Sequence, residues 1–213
     1  MMQRVDVYWS HNSPYCYLAL DRILALRRRH DIDVVLRLVL PGLMRNGGRF
    51  ADASAIEQAY FLHDAARTAD FLGASFAWPR PWPVAFVGDN LYRATPELPR
   101  AWRLYHLNAA ALEQGRGWDF IDQVSRLIWD GSTENWQEDA ILGPAVERAG
   151  LDYAALCRRA AERADAFTQD YADNHAALLA AGHWGVSAFV VEGEPFYGQD
   201  RFDQLLWRLD QAG

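Results

Sequence analysis

Apolar and polar positions alternate from Val5 to Trp9 in a stretch rich in β-formers, which predicts a strand. A turn of small polar residues, Ser10 to Ser13, follows it. Pro14 then stands where a helix takes its first residue, with Ser13 as N-cap. The apolar positions Tyr15, Leu18, Leu20, Ile23 and Leu24 carry this helix to about His30. The basic run Arg27, Arg28 and Arg29 reads as its solvated last turn, complementing the helix dipole. "DVVLRLVL", from Asp33 to Leu40, reads as a second, buried strand stopped by Pro41-Gly42. The chain thus opens β-α-β.

From about Ala53 to Ala180 the period turns helical and alanine becomes common. "AIEQAYFLHDAARTADFLG" is an amphipathic helix ended by Gly73. "WPRPWPV" is a rigid loop, because closely spaced prolines exclude regular structure. Helices follow around "LPRAWRLYHLNAAALEQG", "WDFIDQVSRLIWDG", "WQEDAILGPAVERAG" and "LDYAALCRRAAERADAFTQDYADNHAALLAAG". "SAFVVEGEPFYG" then gives two short β-runs around Glu192-Gly193-Glu194, a hairpin signal. "QDRFDQLLWRL" closes the chain as an amphipathic helix with Leu205, Leu206 and Leu209 inward. A β-α-β and a β-β-α unit sharing one sheet make a thioredoxin-type layout. The expected fold is therefore α/β: thioredoxin-like, with a large all-helical insertion. Residues 1–45 and 183–213 form the first domain, and 46–182 the insertion.

Composition narrows the chemistry. Apolar residues make up 51% of the 213, enough for a sizeable core. The formal charge of −7 argues against a nucleic-acid binder, which needs a basic face. All 21 basic residues are arginine, which removes Schiff-base lysines and the phosphate-loop lysine. Two cysteines far apart, Cys16 and Cys157, make neither a disulfide framework nor a four-cysteine zinc site. No apolar run approaches a membrane span, and "MMQRVDVYWS" has no signal-peptide core. A reducing cytoplasm is the expected compartment.

Ser13-Pro14-Tyr15-Cys16 has the shape of a redox Cys-x-x-Cys motif with serine in place of the first cysteine. A helix N-terminus at the carboxyl end of a strand favours an anion and lowers a thiol's pKa. A serine there cannot cycle through disulfides, but it can donate a hydrogen bond to another molecule's thiolate, such as that of glutathione. It can equally be a plain N-cap. Cys16, one turn inside, reads as a packing residue, and Cys157 has no assigned role. His11 is close enough in sequence to act as a base on the same turn.

Four stretches carry a resemblance to a known family: "SPYCYLA"; "RNGG" with "YFLHDAARTADFLGASF" after it; "GHWGVSAFVV"; and "FYGQDR". In these, which span most of the chain in order, it resembles the glutathione-dependent 2-hydroxychromene-2-carboxylate isomerases and the related kappa-class glutathione transferases. Both belong to the DsbA-type branch of the thioredoxin fold. The resemblance implies glutathione as cofactor, held with its sulfur at Ser13. Asn46 falls at a glutathione-contacting asparagine, counting back from Tyr60. Val186 falls where backbone pairs with the cysteinyl part of the tripeptide like an added strand. Gln199 and Asp200 match residues that hold the γ-glutamyl end. On the residues alone, Asp200 also reads as a helix cap, Asn46 as a turn and Val186 as core. The resemblance further implies a homodimer, a small aromatic substrate and a place in aromatic catabolism, with Tyr15, Trp82 and Trp184 as candidates to pack that substrate.

The chain departs from the family pattern in places. Gly185-Val186-Ser187-Ala188 stands where the family has Gly-Val-Pro-Thr with a cis proline. Ser10 replaces an aspartate, Gly47-Gly48-Arg49 replaces an Asn-x-Pro-Pro-like run, and Cys16 replaces a serine. The expected activity is reversible addition of the glutathione thiolate with cis-trans rotation of the substrate. The rivals are an irreversible kappa-type transferase, a thiol-disulfide oxidoreductase relying on Cys16, and a non-catalytic binding module.

Overall fold

A computed structural model describes residues 2–45 and 53–211. The chain divides into two units, 1–41 with 169–213 and 42–168.

The first unit is built on a four-stranded sheet of order β2-β1-β5-β6. β1 (Gln3–Trp9) pairs in parallel with β2 (Ile32–Leu38), and antiparallel with β5 (Ala188–Val191). β5 in turn pairs antiparallel with β6 (Glu194–Tyr197). The turn between them, Glu192-Gly193, has positive φ at both residues, 50° and 83°, the backbone of a type I′ hairpin. Side-chain alternation along β5 sends neighbours to opposite faces. Phe189 meets Phe202 edge-on at 5.4 Å, whereas Ala188 and Val190 cluster with Tyr8, Val39 and Leu178. Phe202 opens α8 (Phe202–Gln211), and Leu178 lies in α7 (Ala164–Ala180), so the sheet has one of these helices on each face.

α1 (Pro14–Leu26) ends before the expected His30. The amides of Arg27, Arg28 and Arg29 bond back to Ile23, Ala25 and Leu26 in a closing turn. The basic side chains thus lie past the helix, and Arg29 pairs with Asp31 at 2.7 Å and with Asp210 at 3.3 Å. In α8 the buried residues are Phe202, Leu205 and Leu209, while Leu206, expected inward, is half-buried.

Residues 169–182 read in sequence as the end of the insertion, yet they cluster with the sheet. Leu178 enters its core, and Asn174 Nδ2 donates to the Leu38 carbonyl at 3.1 Å. The long alanine-rich stretch read there as one element is two helices, α6 (Tyr153–Glu162) and α7, parted at Arg163.

The second unit holds α2 (Ala55–Leu72), α3 (Pro99–Glu113), α4 (Gly117–Trp129), α5 (Asp139–Arg148) and α6. It is not all-helical: Phe86–Val87 (β3) and Asn90–Ala94 (β4) form a small hairpin around Gly88-Asp89. The alternating residues of "FVGDNLYRA" carry that signal on too short a run to stand out beside the helices. α2 begins on a capping box, with Ser54 and Glu57 bonding each other's backbone amides, and ends at Gly73 in the left-handed region. No helix among the described residues is long and apolar enough to cross a membrane.

Candidate functional site

Sheet register gathers three stretches at one end of the first unit. β1 runs toward Ser10–Ser13, and Tyr8 pairs with Ala188. Because β5 is antiparallel to β1, the residues before Ala188 lie at the end where β1 finishes. Ala188 also pairs with Tyr197, so β6 finishes there too, and the Gly198 N–H reaches the Ser187 carbonyl at 2.9 Å. Ser13, Val186, Gln199 and Asp200 therefore lie at one end of the sheet. Asn46 lies outside the described residues.

Ser13 is the N-cap of α1. Its φ of −102° and ψ of 115° are extended, and its Oγ accepts the Cys16 N–H at 3.3 Å. A hydroxyl has one donor and two acceptor sites. The cap uses an acceptor site, so capping leaves the O–H able to donate. The two sequence readings of Ser13 are thus compatible in one side chain.

Cys16 is fully buried, and burial pushes its thiol up to about 12 despite hydrogen bonds with the Ser10 backbone and Ser13. Against its ordinary value of 9.0, that is about a thousandfold less thiolate near neutral pH. Iodoacetamide at pH 8 should therefore label half-buried Cys157 while Cys16 stays unmodified until the protein unfolds. Peptide mass spectrometry checks this. Prompt labelling of Cys16 in the folded protein would contradict it.

His11 does not suit the role of base. It is 1% exposed, and burial pushes its imidazole down to about 3, too weak to take a thiol proton near neutral pH.

The Val186–Ser187 peptide bond is cis. Val186 is half-buried against the Tyr8–Leu178 cluster. Ser187 is fully buried, and its Oγ finds no partner among the described residues. Gln199 is almost buried, and its Oε1 accepts from Arg22 Nη2 at 2.5 Å. Arg22 lies 5.1 Å from the Phe202 ring centroid, and its buried Nε is also without a partner among the described residues. Asp200 is exposed and paired with Arg201 at 2.7 Å.

Sequence reasoning missed Arg22, whose partner lies 177 residues away, beyond any local pattern. It also missed an aromatic stack. The His183 ring lies on Trp184 at 4.2 Å and on Tyr197 at 4.1 Å, and its Nδ1 accepts the Gly185 N–H at 3.0 Å. Gly185 permits this, since a Cβ there would stand 2.8 Å from Tyr197 Cε2. Burial raises the Tyr197 phenol above its ordinary value, with Cys16 adding to the effect. Of the expected aromatic candidates, Trp184 belongs to this stack and Tyr15 is half-buried at the start of α1. Trp82 lies in the second unit, stacked on Trp78 at 5.3 Å and edge-on to Trp129 at 5.7 Å.

The 2-hydroxychromene-2-carboxylate isomerase of Sphingobium xenophagum is 23% identical over 209 residues, covering 96% of this chain and 97% of that one. A solved 2-hydroxychromene-2-carboxylate isomerase superposes with a TM-score of 0.70 at 17% identity, over 98% of this chain and 95% of that one. The cytosolic disulfide reductase DsbM of Pseudomonas aeruginosa, solved with GSH, superposes at 0.64 and 14% identity, over 98% and 99% of the two chains. At these identities the structural likeness establishes the fold. The DSBA-like thioredoxin domain model matches residues 4–210, and the chain accordingly belongs to the DSBA-like thioredoxin domain family.

Proposed function

We propose that the protein is a glutathione-dependent isomerase of small aromatic compounds, acting like a 2-hydroxychromene-2-carboxylate isomerase. The observation that carries the reading is the start of α1. A hydroxyl whose capping bond uses only an acceptor site occupies the place of a redox cysteine, and the remaining cysteine is buried as a thiol. That second fact disfavours an oxidoreductase relying on Cys16. The similar isomerase, spanning nearly all of both chains, supports the reaction class.

The chemistry of the residues at this end of the sheet supports glutathione as the ligand. Ser187 Oγ and Arg22 Nε are buried polar atoms without partners among the described residues, as expected beside a polar ligand's place. Glutathione, when bound, supplies a thiolate that adds to a conjugated double bond, permits rotation and leaves again unconsumed. Ser13 donates its O–H to the sulfur, and the amide dipole of α1 favours the negative charge. Val186 offers main-chain groups just beyond the β5 ladder. Arg22 holds Gln199 Oε1; the Gln199 amide N–H groups are the donors we assign to a carboxylate, and Asp200 the acceptor for an ammonium. Asn46 completes the set proposed for the tripeptide. Trp184 and Tyr15 present aromatic surface for the substrate. The partners we assign are this small aromatic molecule and a second copy of the chain, in a reducing cytoplasm.

The test is calorimetry with reduced glutathione, followed by an isomerisation assay on a conjugated aromatic acid. Saturable binding and turnover without glutathione loss are expected. Consumption of glutathione with an electrophilic chloroarene, without isomerisation, would replace this reading by a kappa-type transferase. Absence of binding at millimolar glutathione would reject both.

A further inference from the structure

α2 carries apolar side chains on two faces. The inner one holds the buried Ala65 and Ala69 and half-buried Phe61, whose ring lies 5.9 Å from Trp78 and 5.8 Å from Tyr92. On the other face Ile56 is 82% exposed, Tyr60 62% and Phe71 86%. At about 100° per residue, Ile56, Tyr60, His63, Arg67 and Phe71 fall within an arc of roughly 80°, directly opposite the two alanines. Most helices in folded proteins owe their stability to burying an apolar face. This one buries such a face at Ala65, Ala69 and Phe61 and leaves a second apolar stripe uncovered.

The stripe reads the same from both ends. About a point between His63 and Asp64, Ile56 is placed symmetrically to Phe71, Tyr60 to Arg67, and His63 to Asp64. An isologous two-fold contact requires this self-complementarity, because each residue must meet the one at the mirrored position on the other copy. Two antiparallel copies of α2 would set Ile56 against Phe71, an apolar pair. They would set the Tyr60 ring against the Arg67 guanidinium, a cation–π pair, and imidazole against carboxylate at the centre. Arg67 already makes both kinds of contact within the chain, 5.8 Å from the Tyr60 ring centroid and 2.5 Å from Asp64. Across an axis Arg67 can turn from its own Tyr60 ring to that of the other copy while it keeps its pair with Asp64.

We propose that the exposed face of α2 is the contact between two copies of this chain, packed antiparallel about an axis between residues 63 and 64. The inference rests on the dimer assigned above and adds the surface; it needs neither glutathione nor Ser13. Each anchor occurs twice in such a contact, so one substitution acts twice.

Sedimentation velocity on the full chain tests it. Wild type should run as a dimer, and Phe71→Glu and Ile56→Glu as folded monomers by circular dichroism, with dimer affinity weakened roughly hundredfold or more. His63→Cys should form a disulfide-linked dimer under mild oxidation, independent of any folding defect in the other variants. A monomeric wild type would overturn both the dimer and this face. A wild-type dimer that survives both glutamate variants and fails to cross-link through position 63 would overturn the face alone.

Discussion

Ser13→Ala lowers turnover by roughly one to three powers of ten, the scale of losing one hydrogen-bond donor to a resident or developing anion. The serine has two roles at once, so the variant also loses the cap it gives the Cys16 N–H, at a cost of about 1 kcal/mol of stability. Ser13→Asp separates the two. Aspartate caps a helix as well as serine does, and its carboxylate would repel a thiolate instead of donating to it. The account therefore predicts that Ser13→Asp restores the melting temperature but leaves activity as low as in Ser13→Ala, or lower. If capping were the whole contribution, Ser13→Asp would recover activity together with stability. Steady-state assays beside thermal unfolding of the two variants decide this.

Lowering the pH from 6.5 toward 3 destabilises the fold through His11. The side chain is 1% exposed, and burial alone holds its imidazole down at about 3. In the unfolded chain it titrates near 6.5. Above pH 6.5 both states are neutral at this residue and it contributes no pH dependence. Between the two values the unfolded state carries the proton and the native state does not. Unfolding is then favoured by up to about 1.4 kcal/mol per pH unit. Across the window this amounts to several kcal/mol, a large share of an ordinary domain's stability of about 5–15 kcal/mol. Urea unfolding at pH 7, 5.5 and 4.5 measures it. His11→Gln should flatten the slope by close to one proton, whatever it does to stability at pH 7. Identical slopes in wild type and variant would contradict the burial argument.

The strand and helix skeleton of the first unit was legible because its signals are local. Alternation marked β1, Pro14 after Ser13 marked the start of α1, and Glu192-Gly193 marked the hairpin. The end of α1 was not, because the run Arg27-Arg28-Arg29 suits a last helical turn and holds no glycine or proline to stop it, while the closing turn depends on backbone bonds to Ile23 and Ala25. The unit to which α7 belongs was hidden because the pattern marks Leu178 and Asn174 as helix, which they are, but not that Leu178 enters the sheet's core and Asn174 bonds the Leu38 carbonyl. At the site, Ser13 announced itself through its spacing to Cys16. Arg22 did not, because an arginine on the first helix has no sequence mark tying it to Gln199. His183 was equally silent: its stack with Tyr197 forms only when the segment before β5 and the end of β6 come together. His11 reads as a base in the sequence because proximity along the chain carries no information about burial.

The ultraviolet absorbance of the thiolate, followed against pH with glutathione bound to the wild-type protein, reads the charge state of the sulfur itself. Bound glutathione should already be a thiolate near neutral pH, with a midpoint well below that of the free thiol, and this depression should shrink in Ser13→Ala. A midpoint at or above that of the free thiol would contradict it.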